Sequence, residues 1–362
     1  MSVYLKDMLS VIKELDIDAM KVSEKRWNNI AKPLNGLGLL EDVVIKIAGI
    51  TRNPNVNLKK RAVVVMCADN GVVCENVTQT GMEITALVTE NFTKNKTSAS
   101  VMANSLNIDV FPVDIGVYRD LENVIKKEEE IVPRKIIDRK IGYGTKNLYK
   151  EPAMTEEETI KAIKVGINMV RILKEKGYKI IATGEMGIGN TTTSSALASV
   201  FLDKSVETVT GKGAGLSIKG LERKIEVIKS AIKLHKPNKN NPIDVLSKLG
   251  GFDIAGLVGV FLGGSLYKVP IVIDGFISGV SALIACKINP LVSNYILPSH
   301  VSKEPAGKLI LDALNLKPLL NCEMCLGEGT GAISIFPILD LAITVYNNMV
   351  LFDEQGFCYK PL

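Results

Sequence analysis

The residues with the clearest chemical potential lie in "IATGEMGIGNTTTSS", Ile181 to Ser195. Gly184 and Gly189 stand five apart with Thr191 following, the frame of a phosphate-binding P-loop, G-x-x-x-x-G-K-[ST], but with Asn190 in place of the lysine. That lysine neutralises transferring phosphates, so its absence argues against nucleotide hydrolysis and leaves backbone cradling of one phosphate. The same glycines also suit an ordinary tight turn from strand to helix.

A second glycine loop, "TGKGAGLS" at 210–217, carries Lys212 and again opens a helix. Glycines let backbone N–H groups approach an anion, and the helix dipole adds favourable charge. A third, "LGEGTGA" at 326–332, sets Glu328 between two glycines, where a partly desolvated carboxylate gains the basicity of a general base. The alternative is an acid that complements a helix N-terminus. Asp69, Asp114 and Asp274 end strand-like runs and are suited either to ribose hydroxyls or to capping a turn. Neither His235 nor His300 has a nucleophile constellation around it.

Composition narrows the field. The chain has 362 residues, 46% hydrophobic and 23% charged, enough to fold as two lobes or as one large α/β domain with a helical appendage. Its net charge of +5 is spread among acids, as in "KKEEEIVPRK", so no nucleic-acid stripe is expected. Cys67, Cys74, Cys286, Cys322, Cys325 and Cys358 read as reduced core thiols. Only "CEMC" at 322–325 has metal or redox spacing; with two histidines in the chain and no second CxxC, no metal site is expected there. The N-terminus lacks the apolar run of a signal peptide, and "IAGLVGVFLGGSLY" and "ISIFPILDLAITVY" read as too short or interrupted to span a membrane. The reading is therefore cytoplasmic, with no membrane association.

The elements that must position these motifs follow from periodicity. "RAVVVMCAD", "IDVFPVDIG", "YKIIATGE", "VPIVIDG" and "NYILPS" read as strands separated by 3.6-periodic segments, the pattern of parallel βαβ units with ligands at the carboxyl ends of strands. Thr155 caps a helix that stops at Gly177, and Ser217 starts one that ends before Pro237. The helix at 253–267 is apolar nearly all round and reads as internal, or as a subunit contact. The expected fold is α/β, a mostly parallel, Rossmann-like three-layer sheet flanked by helices. Residues 1–58 form a helical segment of a smaller lobe, 59–335 the α/β catalytic domain, and 336–362 a C-terminal helix and tail packed with that lobe.

Together, "ADNGVV", "VDIGV", "GEMGIGNTTT", "TGKGAGL", "VIDGFI", "SHVSKEPAG" and "LGEGTGA" resemble, in order and from about residue 60 to 335, the nicotinate-nucleotide:dimethylbenzimidazole phosphoribosyltransferases. The resemblance implies transfer of phosphoribose from nicotinate mononucleotide to a flat aromatic base, inverting the anomeric carbon from β to α, with no cofactor. It implies Glu328 as general base and Glu185 facing the reacting groups. Gly187, Gly189, Asn190, Thr191, Lys224 and Ser302 would hold the phosphate, and Thr78, Met82, Met186 and Leu326 would form the acceptor pocket. It also implies a homodimer whose sites are completed by the neighbour; a heterodimer with a paralogue is the alternative.

Two departures stand out. Asn70 replaces the histidine of a commoner "ADHG", and "TGMEIT" at 80–85 replaces a commoner Pro-Gln-Glu pattern. The acceptor therefore stays open among benzimidazoles, purines and phenolics, because an apolar slot discriminates weakly between flat rings. Two rival functions remain: a P-loop-like nucleotide hydrolase, and a non-catalytic nucleotide-binding subunit of a heterodimer.

Overall fold

The computed structural model describes residues 7–356. Six parallel strands form one sheet in the order β3-β2-β1-β4-β5-β6. They are β1 (Arg61–Ala68), β2 (Asp109–Gly116), β3 (Ile137–Asp138), β4 (Ile180–Met186), β5 (Ile271–Val272) and β6 (Ile296–Leu297). The five strands read from the sequence are all present. β3 was not anticipated, because two residues inside a charged segment carry no periodic signal.

Strand β1 is buried along its whole length, as expected for the centre of a sheet covered on both faces. The chain moves from β1 to β2 and β3 on one side, then returns to place β4 on the other. β1 and β4 therefore flank a topological switch point, where the crevice beyond the strand ends is the usual ligand site of this architecture.

The long helices begin where capping chemistry places them. Thr155 and Glu158 form a reciprocal capping box before Glu156–Glu175, and Gly177 follows with φ +88°. Ser217 Oγ accepts the Gly220 N–H at the start of Ile218–His235.

The apolar helix Phe252–Tyr267 is an internal element, so a role as a subunit contact surface is excluded. It packs against Glu156–Glu175 so closely that a Cβ on Gly166 would come 1.9 Å from the Gly256 carbonyl, and one on Gly259 2.0 Å from that of Ile163. At the other end of the molecule, helices Ile17–Asn29 and Leu39–Thr51 meet the C-terminal helix Phe336–Asn348. Trp27 and Tyr346 rings pack at a 52° tilt with centroids 5.1 Å apart, and Arg26 Nε donates to the Tyr346 carbonyl at 2.6 Å.

The C-terminal helical run is longer than the sequence suggested. Ile335 stays helical between two helices, giving a 19-residue apolar stretch, Thr330–Asn348, long enough to cross a membrane by length and composition. Half of it is buried in the fold, and it begins at the loop that carries Glu328.

Candidate active site

Strand β4 ends at Met186, and Gly187, Ile188 and Gly189 turn directly into helix Asn190–Leu202. Gly184 lies inside the strand, so the P-loop frame is not a wrapped loop but a three-residue turn. The turn is squeezed against the end of β1: a Cβ on Gly187 would lie 2.4 Å from the Ala68 carbonyl, and Gly189 sits at φ +94°.

Glu328 is held by a different strain. Gly327, Glu328 and Gly329 have φ of +91°, +62° and +93°, three consecutive left-handed residues. Only glycine adopts this readily, and a glutamate held there needs its surroundings to enforce it. Asp274, at the end of β5, does so by accepting the N–H groups of Gly329, Gly331 and Ala332 at 3.1, 2.7 and 3.2 Å. Glu328 Oε2 accepts the Ala99 N–H at 3.0 Å, at the start of helix Ser98–Ser105. Burial nonetheless raises the Glu328 carboxyl above the ordinary glutamate value.

These pieces enclose one cavity of about 250 Å³ at the carboxyl ends of β4, β5 and β6. Of the residues read from the sequence, Glu185, Met186, Gly187, Asn190, Thr191, Ser302, Leu326 and Glu328 line it. Gly189 and Thr78 line an adjoining hollow of about 80 Å³, which shares Gly187, Asn190 and Thr191 with the cavity. Met82 lines neither; it is half-buried at the start of helix Glu83–Thr93.

Lys224 does not lie on a solvated helix face. It is fully buried, with Nζ 2.9 Å from Thr191 Oγ1 and 3.2 Å from the Gly211 carbonyl. Desolvation lowers its pKa to about 8, with the nearby Glu304 carboxylate pulling it back up. A cation, the N-terminus of a helix and Thr191 thus converge on one end of the cavity, a ready anion site. The Asn190 side chain points elsewhere: Nδ2 donates to Glu185 Oε2 and, at 3.0 Å, to Asp253 Oδ2. Burial, then the Asp253 charge, pushes Glu185 up to about 8.

Three residues of this region, His300, Glu304 and Asp253, were missed or undervalued, and three strand-end acids were left between two roles. The strand-end acids all serve as turn clamps: Asp69 Oδ2 accepts the Tyr118 N–H at 2.9 Å, Asp114 that of Val117 at 2.9 Å, and Asp274 the three groups above. His300 lines the cavity, and the imidazole lies where a Cβ on Gly331 would be. Burial lowers its pKa, with the Asp274 charge opposing. Glu304 lines the wall near Lys224. Asp253 gave a signal that was overlooked, a single charged residue in an otherwise uncharged 16-residue helix. The thiols also differ from expectation: Cys74, Cys322 and Cys325 are exposed, Cys325 lines the cavity, and Cys358 lies outside the described residues. Loop 321–327 reaches the cavity mouth, which leaves "CEMC" no core to enter.

A phosphoribosyltransferase family model matches residues 12–357. The nicotinate-nucleotide–dimethylbenzimidazole phosphoribosyltransferase of Ruminiclostridium cellulolyticum is 49% identical over 358 residues, covering 99% of both chains. The chain belongs to that family. The enzyme of the same name from Clostridium acetobutylicum is 48% identical over 99% of each chain. Among solved structures, CobT from Thermus thermophilus has a TM-score of 0.86 at 32% identity, covering 95% of this chain and 100% of its own. The α/β fold and the transferase class expected from the motifs are those of the family.

Proposed function

We propose that this phosphoribosyltransferase moves the phosphoribosyl group of nicotinate mononucleotide to a flat aromatic base, dimethylbenzimidazole or a related benzimidazole, purine or phenolic, giving the α-linked nucleotide and nicotinate. The observation that carries the reading is that two carboxylates, Glu185 and Glu328, share one cavity with the anion-binding start of helix Asn190–Leu202. The names of the relatives supply the two substrates.

In this reading the 5′-phosphate sits against Gly187, Gly189, Thr191 and Ser302 with Lys224 behind, Asn190 contributing through the helix start and its hold on Glu185. The acceptor lies between Met186 and Leu326. A ring nitrogen of the acceptor, or the oxygen of a phenolic, attacks C1′ from the face opposite nicotinate, the C1′–N bond breaks, and its electron pair stays on the pyridine nitrogen. Nicotinate leaves without protonation, because the pyridinium already carries the positive charge. A benzimidazole or purine gives the proton of its other nitrogen to Glu328, and a phenolic gives its hydroxyl proton. No phosphate bond breaks, which accords with a buried lysine that neutralises one phosphate and no lysine in the P-loop position.

A homodimer completes the proposal. Leu326 walls the cavity while keeping 57% of its surface exposed, and Thr78 lies in the outer hollow, so a second copy would cover the acceptor end. Light scattering of the purified chain tests this directly, and a monomer that nevertheless turns over would contradict it. The reaction itself is tested by chromatography of incubations with nicotinate mononucleotide and dimethylbenzimidazole, adenine, phenol or p-cresol. Nicotinate should appear only when an acceptor is present; its absence with every acceptor, from folded protein, would overturn the reading.

A further inference from the structure

Behind Glu185 lies a second carboxylate. Asp253 is fully buried, and among the described residues no lysine, arginine or histidine forms an ion pair with it or with Glu185. A single amide group, Asn190 Nδ2, donates to both carboxylates. Two glycines shape the slot: a Cβ on Gly187 would come 2.7 Å from Asp253 Oδ2, and one on Gly251 2.6 Å from Oδ1. Among the described residues Asp253 Oδ1 has no donor, and neither has Asn70 Oδ1, which the same Cβ on Gly251 would also strike.

His300 lines the same cavity and acts on Asp274, and the other ionisable groups acting on the slot are acidic. They are Asp69 at the end of β1, Asp274 at the end of β5 and the buried Cys67 thiol. Lys140, whose charge reaches Asp69, is 2.9 Å from Asp114 and engaged there. Two desolvated carboxylates bridged by one neutral amide cannot both stay ionised. Glu328 is placed differently, with the Ala99 N–H on its carboxylate at the start of a helix.

We infer that Asp253, acting through Asn190, is a positioning residue that holds Glu185 in its protonated form, so that Glu185 meets the bound substrates as a neutral hydrogen-bond donor. The inference rests on the transfer reading and deepens it. It divides the two glutamates of the cavity: Glu328 accepts a proton, and Glu185 lends a hydrogen bond without losing one. Asp253 lies in the first turn of helix Phe252–Tyr267, whose dipole favours its charge, while Glu185 faces the cavity, and burial raises both carboxyls, Asp253 to about 6 and Glu185 to about 8.

Infrared titration of the full chain without substrates tests this independently of turnover. A protonated-carboxyl carbonyl band should be present at neutral pH, disappear on alkaline titration, and be missing in Glu185→Gln. The pH profile of nicotinate release, read as kcat at saturating nicotinate mononucleotide to set aside Lys224, should show an alkaline limb. Asp253→Asn should move that limb down by about one pH unit, and Glu185→Gln should abolish it. A purely structural Asp253 would lower the rate at every pH and leave the limb in place. An unmoved limb in folded Asp253→Asn, or no Glu185-dependent band at neutral pH, would overturn the inference. If Asp253→Asn fails to fold, the wild-type infrared titration still decides. If wild type releases no nicotinate at any pH, the transfer reading fails, and the same infrared titration still decides the proton's position.

Discussion

Gly184 lies directly beneath Glu328: a methyl group on its α-carbon would come within 2.6 Å of the Glu328 carbonyl oxygen. The strand that carries Glu185 and the loop that presents Glu328 are thus seated backbone on backbone. The spacing between the two glutamates depends on the absence of one side chain. Gly184→Ala should push the loop outward, lowering kcat by about 100-fold, the scale of an ångström's misplacement, while KM for nicotinate mononucleotide changes little. Equal kcat in a folded variant would show that the contact does not set the geometry.

Removing the base without moving it is a cleaner change. Glu328→Gln keeps the left-handed backbone and the Ala99 contact, so fold and nucleotide binding should persist while kcat falls by about 100-fold or more. Stopped assays of nicotinate release would measure it. Wild-type turnover in this variant would remove Glu328 from the chemistry.

Lys224 is predicted to act on binding. Lys224→Met preserves a long apolar stem in a buried site but deletes the charge, so KM for nicotinate mononucleotide should rise by about 10- to 100-fold, the value of a lost charge-assisted contact. The acceptor KM should be unaffected. An unchanged nucleotide KM would place the phosphate elsewhere.

The buried acids also make stability depend on pH. Glu185 is raised from an ordinary 4.5 to about 8 and Asp253 from 3.8 to about 6, so between those limits the folded chain binds more protons than the unfolded one. Stability from these groups is fully present below the unfolded values and is lost as pH rises through the folded ones. Wild-type Tm should therefore fall from pH 6 to pH 8 by more than that of Glu185→Gln, as calorimetry would measure. Parallel curves for the two proteins would contradict the assignment.

Much of the scaffold was legible because it rests on local rules. Thr155 and Ser217 cap helices by their own hydroxyls, and the Val- and Ile-rich runs have no alternative to a covered sheet. The glycine flanks of Glu328 marked it as a carboxylate presented to a pocket, but not the left-handed backbone that holds it there. What stayed hidden depends on partners far apart in the chain. Lys224 was singled out only by the family resemblance, because periodicity does not distinguish it from its solvated neighbours until helix Ile218–His235 is laid against Thr191, 33 positions away. His300 was set aside for want of a nucleophile, yet its role as a wall depends on Gly331 having no side chain. The Asp253 bridge spans 63 positions through Asn190, whose side chain the motif assigned to phosphate.

The most direct test of the central claim, that the site grips a phosphate which survives the reaction, is product analysis by phosphorus and proton NMR after incubation with nicotinate mononucleotide and dimethylbenzimidazole. The expected product is one α-linked nucleotide with its phosphate monoester intact, formed in equal amount with free nicotinate. Inorganic phosphate, or nicotinate released with no base attached to the ribose, would contradict it.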